Sequence, residues 1–586
     1  MKAACRKPVF LLLLLALGLI IYSNALTGPL VFDDHGTIES QRTIALRGFR
    51  HFSGTRYLTD LTFALNYATG GFNTTGYHLV NIIIHISNAF FVYLLVLLAF
   101  KTPALRDRKA DGNFIAATSS LLFLTHPIQT EAVTYISQRY ASLAAFLYIL
   151  SIMLYLKARL ALDAKEPTAK GWALYAGCVI ATAAAQITKE ICFTLPVIIA
   201  LFEFTFFDNS KGLLRRLLYL APLMLDLSII PAILYSVKAS PPAASGITKT
   251  VAALMREDLS ILPRHDYLMT QFRVMMTYLR LLFFPIGQNA DYDYPVFHTF
   301  AAPQVLMSFA ALAVIFAATV FLYVRSLKGD RPYGLLISIG VIWFFVTISV
   351  ESSIIPISDV IFEHRLYLPS VGIILSFSTL LALVSQRLNL RPAGIVLVGA
   401  IVAMNSAATF KRNAVWGSEI AFWEDVMKKS PNKARGYSNE GYALIKKGDR
   451  QEAIAYFGKA VRLRPNFWLT NYNMGNALLQ AGRPDESLMF LYKSIKLKPD
   501  YADAYANLGY ALVELKRPEG AIKYLAEYER LRAGSADAYN NLGNALLLAG
   551  KTSEAISAYR QALALSPNDI DARTNLENAS KLMGGR

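Results

Sequence analysis

The rhythm of hydrophobic and polar positions changes once along this chain, near residue 410. Before that point long apolar runs follow one another with short polar breaks; beyond it the sequence is charged, amphipathic and periodic. A membrane-spanning helix needs about 20 apolar residues, with roughly 17 tolerated. On that measure the pattern predicts eleven spans, near 8–26, 79–100, 110–126, 141–156, 172–187, 191–207, 217–235, 303–324, 333–350, 366–386 and 393–410. The run 172–207 is too long for one helix at about 1.5 Å per residue, so it divides at Lys189 and Glu190. Residues 8–26 read as an uncleaved first span, being long for the apolar stretch of a signal peptide. The segment 268–286 carries Arg273 and Arg280 within its apolar pattern and reads as an interfacial amphipathic helix that does not span.

Composition supports this division. Hydrophobic residues make up 54% and charged residues 17% of the 586 positions, against about 25% charged in a soluble domain. Disorder, collagen and a coiled coil are excluded. The +17 balance, from 58 Lys and Arg against 41 Asp and Glu, marks cytoplasmic loops in so apolar a chain, not nucleic-acid binding. With the N-terminus inside, Lys101, Arg106, Arg108, Lys109, Lys157, Arg159, Lys165, Lys170, Lys211, Arg215, Arg216, Arg325, Lys328, Arg331, Arg387 and Arg391 all become cytoplasmic. The loops 27–76 and 236–302 and the C-terminal part then lie on the extracytoplasmic side. That side is the periplasm if the membrane is a bacterial inner membrane, or the lumen if it is the endoplasmic reticulum. Three cysteines (Cys5, Cys178, Cys192) are too few for a disulfide framework.

The periodic half carries Gly441, Gly475, Gly509 and Gly543 at intervals of 34 residues. A small residue follows each by 12 positions (Ala453, Ser487, Ala521, Ala555) and a large one by 16 (Phe457, Leu491, Leu525, Tyr559). Pro465, Pro499 and Pro567 recur at the same place in three repeats. This pattern resembles the tetratricopeptide repeat, in which helix pairs stack into a solenoid. The predicted organisation is a membrane domain over 1–413, a connecting half repeat over 414–433, and four repeats with a cap helix over 434–586. Asn439, Asn473, Asn507, Asn541 and Asn575 recur two positions before each repeat glycine and once in the cap. Stacked repeats align such positions in a row, and amides that both donate and accept suit an extended peptide backbone. Helix packing or capping within each repeat is the competing role.

A repeat array binds but has no chemistry of its own, so catalysis must come from the membrane half, where charges are costly and therefore informative. The first span leads to VFDDHGTI, with Asp33 and Asp34 just past its outer end. In GYHLVNIIIHISNA, His78, Asn81, His85 and Asn88 share one helical face, which must turn away from lipid. Interhelical hydrogen bonding is the plain explanation for that stripe. THPIQTEAVTYISQRYASL contributes His126, Glu131, Gln138 and Arg139, and Lys189 with Glu190 falls in a turn between spans. Glu363, His364 and Arg365 open the tenth span in EHRLYLPSVG. On the predicted topology all these groups share the face of Asp33 and Asp34. Carboxylates with several cations at one membrane face suit a reaction of a lipid phosphate.

VFDDHGTI, GYHLVNIIIHISNA, THPIQTEAV, ITKE, EHRLYLPSVG and the trailing repeats together resemble the transmembrane and tetratricopeptide repeat-containing protein O-mannosyltransferases, within the GT-C superfamily. The resemblance implies an all-α fold, a polytopic GT-C helix bundle followed by a repeat solenoid. It also implies a polyprenyl-phosphate sugar donor, Ser/Thr acceptors and an acidic pair in the first outer loop. Two departures bear on which sugar is carried: EHR replaces a more basic form of that motif, and the short N-terminus suggests a prokaryotic relative.

The chemistry follows from the bond. A lipid phosphate leaves as a stable anion, so the reaction needs a base for the acceptor hydroxyl and cations for the phosphate, not a strong general acid. Asp33 or Asp34 supplies the base; Arg139, Lys189, His364 and Arg365 are phosphate partners, with Glu190 and Glu363 beside them. His78, Asn81, His126 and Glu131 line the substrate pocket. No spacing resembles a tight metal site; no cofactor is expected, beyond a divalent cation loosely held at the acidic pair. The expected partners are a polyprenyl-phosphate-linked sugar, a protein acceptor held by the repeats, and membrane lipid. The rival readings are an O-antigen ligase or O-oligosaccharyltransferase, which would place its groups in a large late outer loop, and a non-catalytic scaffold for envelope assembly. A transporter ranks last, since no ionisable residue sits at midspan beside a helix break.

Overall fold

The computed structural model describes residues 6–47, 54–106, 109–163, 169–207, 212–239, 262–329, 331–357, 359–532 and 534–584. Cys5, Arg108, Lys165 and Lys211 lie outside them. Among the described residues every regular element is helical. The chain forms two compact units, 1–422 and 423–586.

Among the described residues, six helices of the first unit are long and apolar enough to cross a membrane: Thr74–Ala99, Ile136–Leu162, Leu213–Ser236, Pro303–Lys328, Glu363–Arg387 and Arg391–Gly417. Pro8–Ile21 and Pro332–Ile348 are shorter apolar helices. The expected spans at 110–126, 172–187 and 191–207 correspond to Lys109–Thr125, Ala169–Gln186 and a 3-10 turn, Glu190–Thr194, running into Leu195–Phe206. Length and composition therefore support six crossings outright, not the full eleven. The long apolar run does break where expected, with Lys189 in extended backbone (φ −162°) between the two helices. The segment expected to be interfacial is the helix Arg264–Phe283. Its Val274, Tyr278 and Leu281 pack on Phe344, Ile348 and Leu366, while Arg273 and Arg280 stay exposed. The segment 27–76, read from sequence as an outer loop, holds two helices, Asp34–Arg47 and Tyr57–Gly70.

Two contacts fix how the bundle packs. Gly340 and Gly372 face each other so closely that a Cβ on either would sit 2.2–2.3 Å from the other's carbonyl oxygen. At the far end of the helix Arg139–Leu162, Arg159 binds both oxygens of Glu203 at 2.9 Å, and Arg216 adds a third bond at 3.2 Å. All three side chains are buried. Losing Glu203 strips two buried arginines of the carboxylate they share, at about 3–5 kcal/mol.

The second unit is a stack of helix pairs: Ala434–Lys447 with Arg450–Leu463, Trp468–Gln480 with Pro484–Leu497, Ala502–Glu514 with Pro518–Leu531, and Ala536–Leu548 with Thr552–Leu565. Ile570–Gly584 follows as the last helix. The repeat glycines permit the close approach within each pair. A Cβ at Gly441, Gly475, Gly509 or Gly543 would meet Phe457, Leu491, Leu525 or Tyr559 at 2.4–2.9 Å. The helix Glu419–Lys429 precedes the array.

Gly509→Val is expected to lower the stability of the array by about 1–3 kcal/mol, because Leu525 must be displaced. Gly458→Ala, where a Cβ meets only the tip of Arg462 at 3.6 Å, is expected to be neutral or slightly stabilising. Thermal proteolysis of the two variants measures the difference.

Candidate active site

The acidic pair is split by its surroundings. Phe32, with φ +55°, turns the chain between the first helix, Arg6–Ile21, and the helix that opens at Asp34. Asp34 is fully buried. Its Oδ1 accepts from the Ser137 N–H at 2.7 Å and the Ser137 hydroxyl at 2.5 Å, and its Oδ2 from the Val31 N–H at 3.2 Å. Burial pushes this carboxyl up to about 7 despite those donors, with neighbouring Asp33 adding to the rise. Asp33 is only half-buried, and its N–H donates to the Tyr135 hydroxyl at 3.0 Å. The Phe32 ring lies among Tyr135, Phe362 and Phe422.

The polar stripe makes interhelical bonds. His78 Nε2 lies 3.1 Å from the Gly28 carbonyl. Asn81 donates to the carbonyls of Val133 and Ile136 at 3.2 Å and accepts from Arg139 Nε at 2.7 Å. Arg139 also donates to Thr62 and to the Tyr77 carbonyl, and its guanidinium lies 4.4 Å from the Phe63 ring centre. It is fully buried. Arg139 is thus enclosed, with its guanidinium bonded to the protein's own groups. His85 and Asn88 both bond the Tyr367 hydroxyl, at 2.8 and 3.0 Å. His126 contacts the Leu282 carbonyl through Nε2 at 2.9 Å and accepts the Ile128 N–H through Nδ1.

The EHR motif meets Glu131. Glu131 Oε2 accepts from the N–H groups of Glu363 and His364 at 2.7 and 3.2 Å, and Oε1 lies 2.8 Å from His364 Nδ1. A carboxylate at the start of a short helix suits the unpaired N–H groups there. Burial pushes Glu131 well above the ordinary carboxylate range, with Glu363 reinforcing the rise and Arg412 opposing it. Glu363 in turn accepts from the Asn289 N–H, the Tyr292 hydroxyl and the Gln288 amide, each at 2.6 Å. Arg365 is buried, with its donors on the carbonyls of Val360 and Asp359. Like Arg139, it holds a loop in shape.

Lys189 and Glu190 pair with two different segments. Lys189 Nζ reaches Glu351 at 2.7 Å, and both are buried. Glu190 binds Thr55 at 2.5 Å and Arg56 at 3.3 Å. Burial would raise its carboxyl, but Arg56 and Thr55 outweigh burial and hold it at about 2. The Arg56 side chain remains 49% exposed, with its guanidinium 5.1 Å from the Tyr140 ring centre. Arg56, Glu351, Ser137 and Tyr135 were not singled out from sequence. No spacing marks them, because each is defined by a partner at least 100 residues away.

Among the described residues no three or more His, Cys, Asp or Glu converge as metal ligands. In the repeats, all five ladder asparagines are half-buried. Asn507 donates to Asn476 at 3.1 Å and Asn575 to Asn540 at 3.0 Å, each linking adjacent repeats.

Family models for the tetratricopeptide repeat match residues 434–467, 478–545 and 536–569. The chain is 24% identical over 513 residues to protein O-mannosyl-transferase Tmtc3 of Drosophila melanogaster, covering 76% of this chain and 54% of that protein. It is 24% identical over 436 residues to protein O-mannosyl-transferase TMTC3 of Homo sapiens, covering 70% and 45%. A protein O-mannosyl-transferase of Caenorhabditis elegans is also 24% identical, with 78% and 63% covered. The chain therefore spans about half the length of the curated relatives it matches, and resembles them over most of its own. Among solved structures, the tetratricopeptide repeat protein YrrB covers 27% of this chain and 80% of its own, at 22% identity and a TM-score of 0.25.

Asp34 gives a pH signature. Folded, it keeps its proton to about pH 7; unfolded, only to about pH 4. Between those values the folded state binds more protons, so its stability falls as pH rises from about 4 through about 7. Thermal unfolding in detergent is expected at lower temperature at pH 8 than at pH 5. Asp34→Asn, which cannot ionise, is expected to shrink that difference.

Proposed function

We propose that the first unit is an inverting membrane glycosyltransferase that moves a mannose-like hexose from a polyprenyl phosphate to Ser/Thr hydroxyls of a protein on the extracytoplasmic side. The gathering of Asp33, Glu131, His364, Lys189 and Arg56 around one end of the bundle, from segments far apart in the chain, is the observation that carries this reading. The names of the relatives support it, and so does the half-exposed position of Asp33 beside a buried, anchored Asp34.

Asp33 is the base in this reading. Its carboxylate takes the acceptor proton as the hydroxyl oxygen forms a bond to the anomeric carbon. The bond from that carbon to the phosphate oxygen breaks on the opposite face, so the configuration inverts and the polyprenyl phosphate leaves as an anion. Arg56, with its exposed guanidinium, and Lys189 steady that charge. A loosely held divalent cation beside Asp33 would add to the same stabilisation. Asp34, Asn81, Arg139, Glu131, Glu363 and Arg365 position the loops that carry these groups, with His78, His126 and His364 within the same packing. The repeats hold the acceptor protein. Asn439, Asn473 and Asn541 make no side-chain hydrogen bond among the described residues, which leaves their amides for a peptide backbone.

Asp33→Asn is expected to lower kcat by about 10²–10⁴, with the melting temperature unchanged. In vitro transfer from a polyprenyl-phosphate sugar measures it, and normal turnover by this variant would remove Asp33 from the role of base.

The paired change Asn473→Ala and Asn541→Ala is expected to raise KM for protein acceptors severalfold, with little effect on a short soluble peptide. Asn507→Ala is expected to act on the array itself, by about 0.5–1.5 kcal/mol, read by its thermal unfolding. An equal loss on both acceptors would make the asparagine row structural.

A further inference from the structure

A further periodicity runs through the repeats. A cation, a leucine and a cation stand together where the second helix of each of the first three pairs ends: Arg462, Leu463 and Arg464; Lys496, Leu497 and Lys498; Arg530, Leu531 and Arg532. The triplets are 34 residues apart, and Lys428, 34 residues before Arg462, extends the first cation row back into the helix Glu419–Lys429. Positions at this spacing align along one edge of a stacked array. Lys428, Arg462, Lys496 and Arg530 are all exposed. Cations do favour helix C-termini, yet the fourth pair carries Ala564 and Ser566 at the matching positions. The general preference alone does not account for the row.

Charge and apolar surface together say what this edge fits. Between Glu452 and Asp500 the sequence has seven cations and two acids, Asp485 and Glu486. Arg483 holds Glu486 at 2.6 Å, at the opposite end of its helix from Lys496. Among the described residues Lys428, Arg462 and Lys496 form no ion pair, whereas Arg530 meets Glu527 and Arg532 meets Asp503. Apolar groups stand beside the cations: Leu463 and Leu497 are exposed, and so are Met489 and Tyr492, two turns and one turn before Lys496 on the same helical face. Free cations beside exposed apolar side chains suit an anionic membrane surface, where phosphates meet the charges and the apolar groups enter the headgroup boundary. The chain itself brings such a surface near. Lys428 follows by eleven residues Gly417, the end of a helix long and apolar enough to cross a membrane, and eleven residues reach about 40 Å at most. So short a tether raises the effective concentration of headgroups at this edge above that of a free acidic partner.

We propose that this edge of the repeats binds the anionic phospholipid headgroups of the membrane. Lys428, Arg462 and Lys496 meet the phosphates, and Leu463, Leu497, Met489 and Tyr492 enter the headgroup boundary. Each Lys or Arg close to a negatively charged leaflet strengthens binding about fivefold, so three acting together contribute about a hundredfold. The attraction fades beyond a Debye length, about 8 Å at physiological salt. The cation row lies on the second helices of the pairs and the asparagine row on the first, so the two can be altered separately. This lipid contact stands whether or not the first unit transfers a sugar.

The test uses the full chain in sealed vesicles of phosphatidylcholine, with or without phosphatidylglycerol. A membrane-impermeant acetylating reagent modifies the accessible lysines, and mass spectrometry reads the rate at each. Phosphatidylglycerol is expected to slow acetylation of Lys428 and Lys496 about fivefold or more, leaving exposed Lys581 in the last helix unchanged. In about 1 M salt, where the screening length is about 3 Å, that protection is expected to vanish. Arg462→Gln with Lys496→Gln is expected to abolish the protection of Lys428 with the melting temperature unchanged. Equal rates in the two kinds of vesicle overturn the proposal, and so does equal slowing at Lys581. Protection by an added acidic polypeptide, with none from phosphatidylglycerol, makes the edge a protein-docking surface and overturns it as well. The lipid effect is read first on the unsubstituted protein, so the result does not depend on the variant folding.

Discussion

A carboxyl group withdrawn from water keeps a fixed position only if donors meet its oxygens, and Asp34 is met by Ser137 twice and by Val31 once. That one contact ties the chain after the first helix to the short segment between Lys109–Thr125 and Arg139–Leu162. It sets where Asp33 stands, because the two residues are consecutive and Phe32 and Tyr135 close the turn from the other side. The cost is a carboxyl raised to about 7, which makes the anchor sensitive to pH near neutrality. Buried carboxyls recur in the neighbouring loops: Glu131 clasps the start of EHR, and Glu363 clasps the loop 288–292.

The cations divide into two kinds. Arg139 and Arg365 are enclosed and bonded to carbonyls and side chains of the protein itself. Lys189 pairs with Glu351, and Arg56 pairs with Glu190, the residue next to Lys189; of the two cations only Arg56 presents its side chain to solvent. A guanidinium held along one edge by Glu190 and lying against Tyr140 has little freedom left to lose, and in the proposed reading this preorganises it for an anion.

The repeats obey a different constraint. Each helix pair closes because a glycine leaves room for a large side chain opposite, and such pairs bury their apolar faces only by stacking on neighbours. The asparagine row is a by-product of that stacking, and two of its members, Asn507 and Asn575, already bond within the array. A ladder read as uniform from its spacing is therefore mixed in its bonding.

What the sequence determined by itself is what repeats or is continuous along the chain. Apolar runs marked the helices, the 34-residue period marked the array, and the break at Lys189 followed from helix length alone. The stripe His78, Asn81, His85, Asn88 announced an interior face, because lipid offers no hydrogen bonds. Tertiary structure alone decided which member of each pair does what. Asp33 and Asp34 are indistinguishable as letters, yet one is half-exposed and the other enclosed. Arg139 reads as a phosphate ligand until Asn81, Thr62 and Tyr77 surround it, while Arg56, in a polar stretch without pattern, stays half-exposed beside Glu190. The reason is that burial and pairing are set by partners from distant segments, and a one-dimensional spacing carries no record of them.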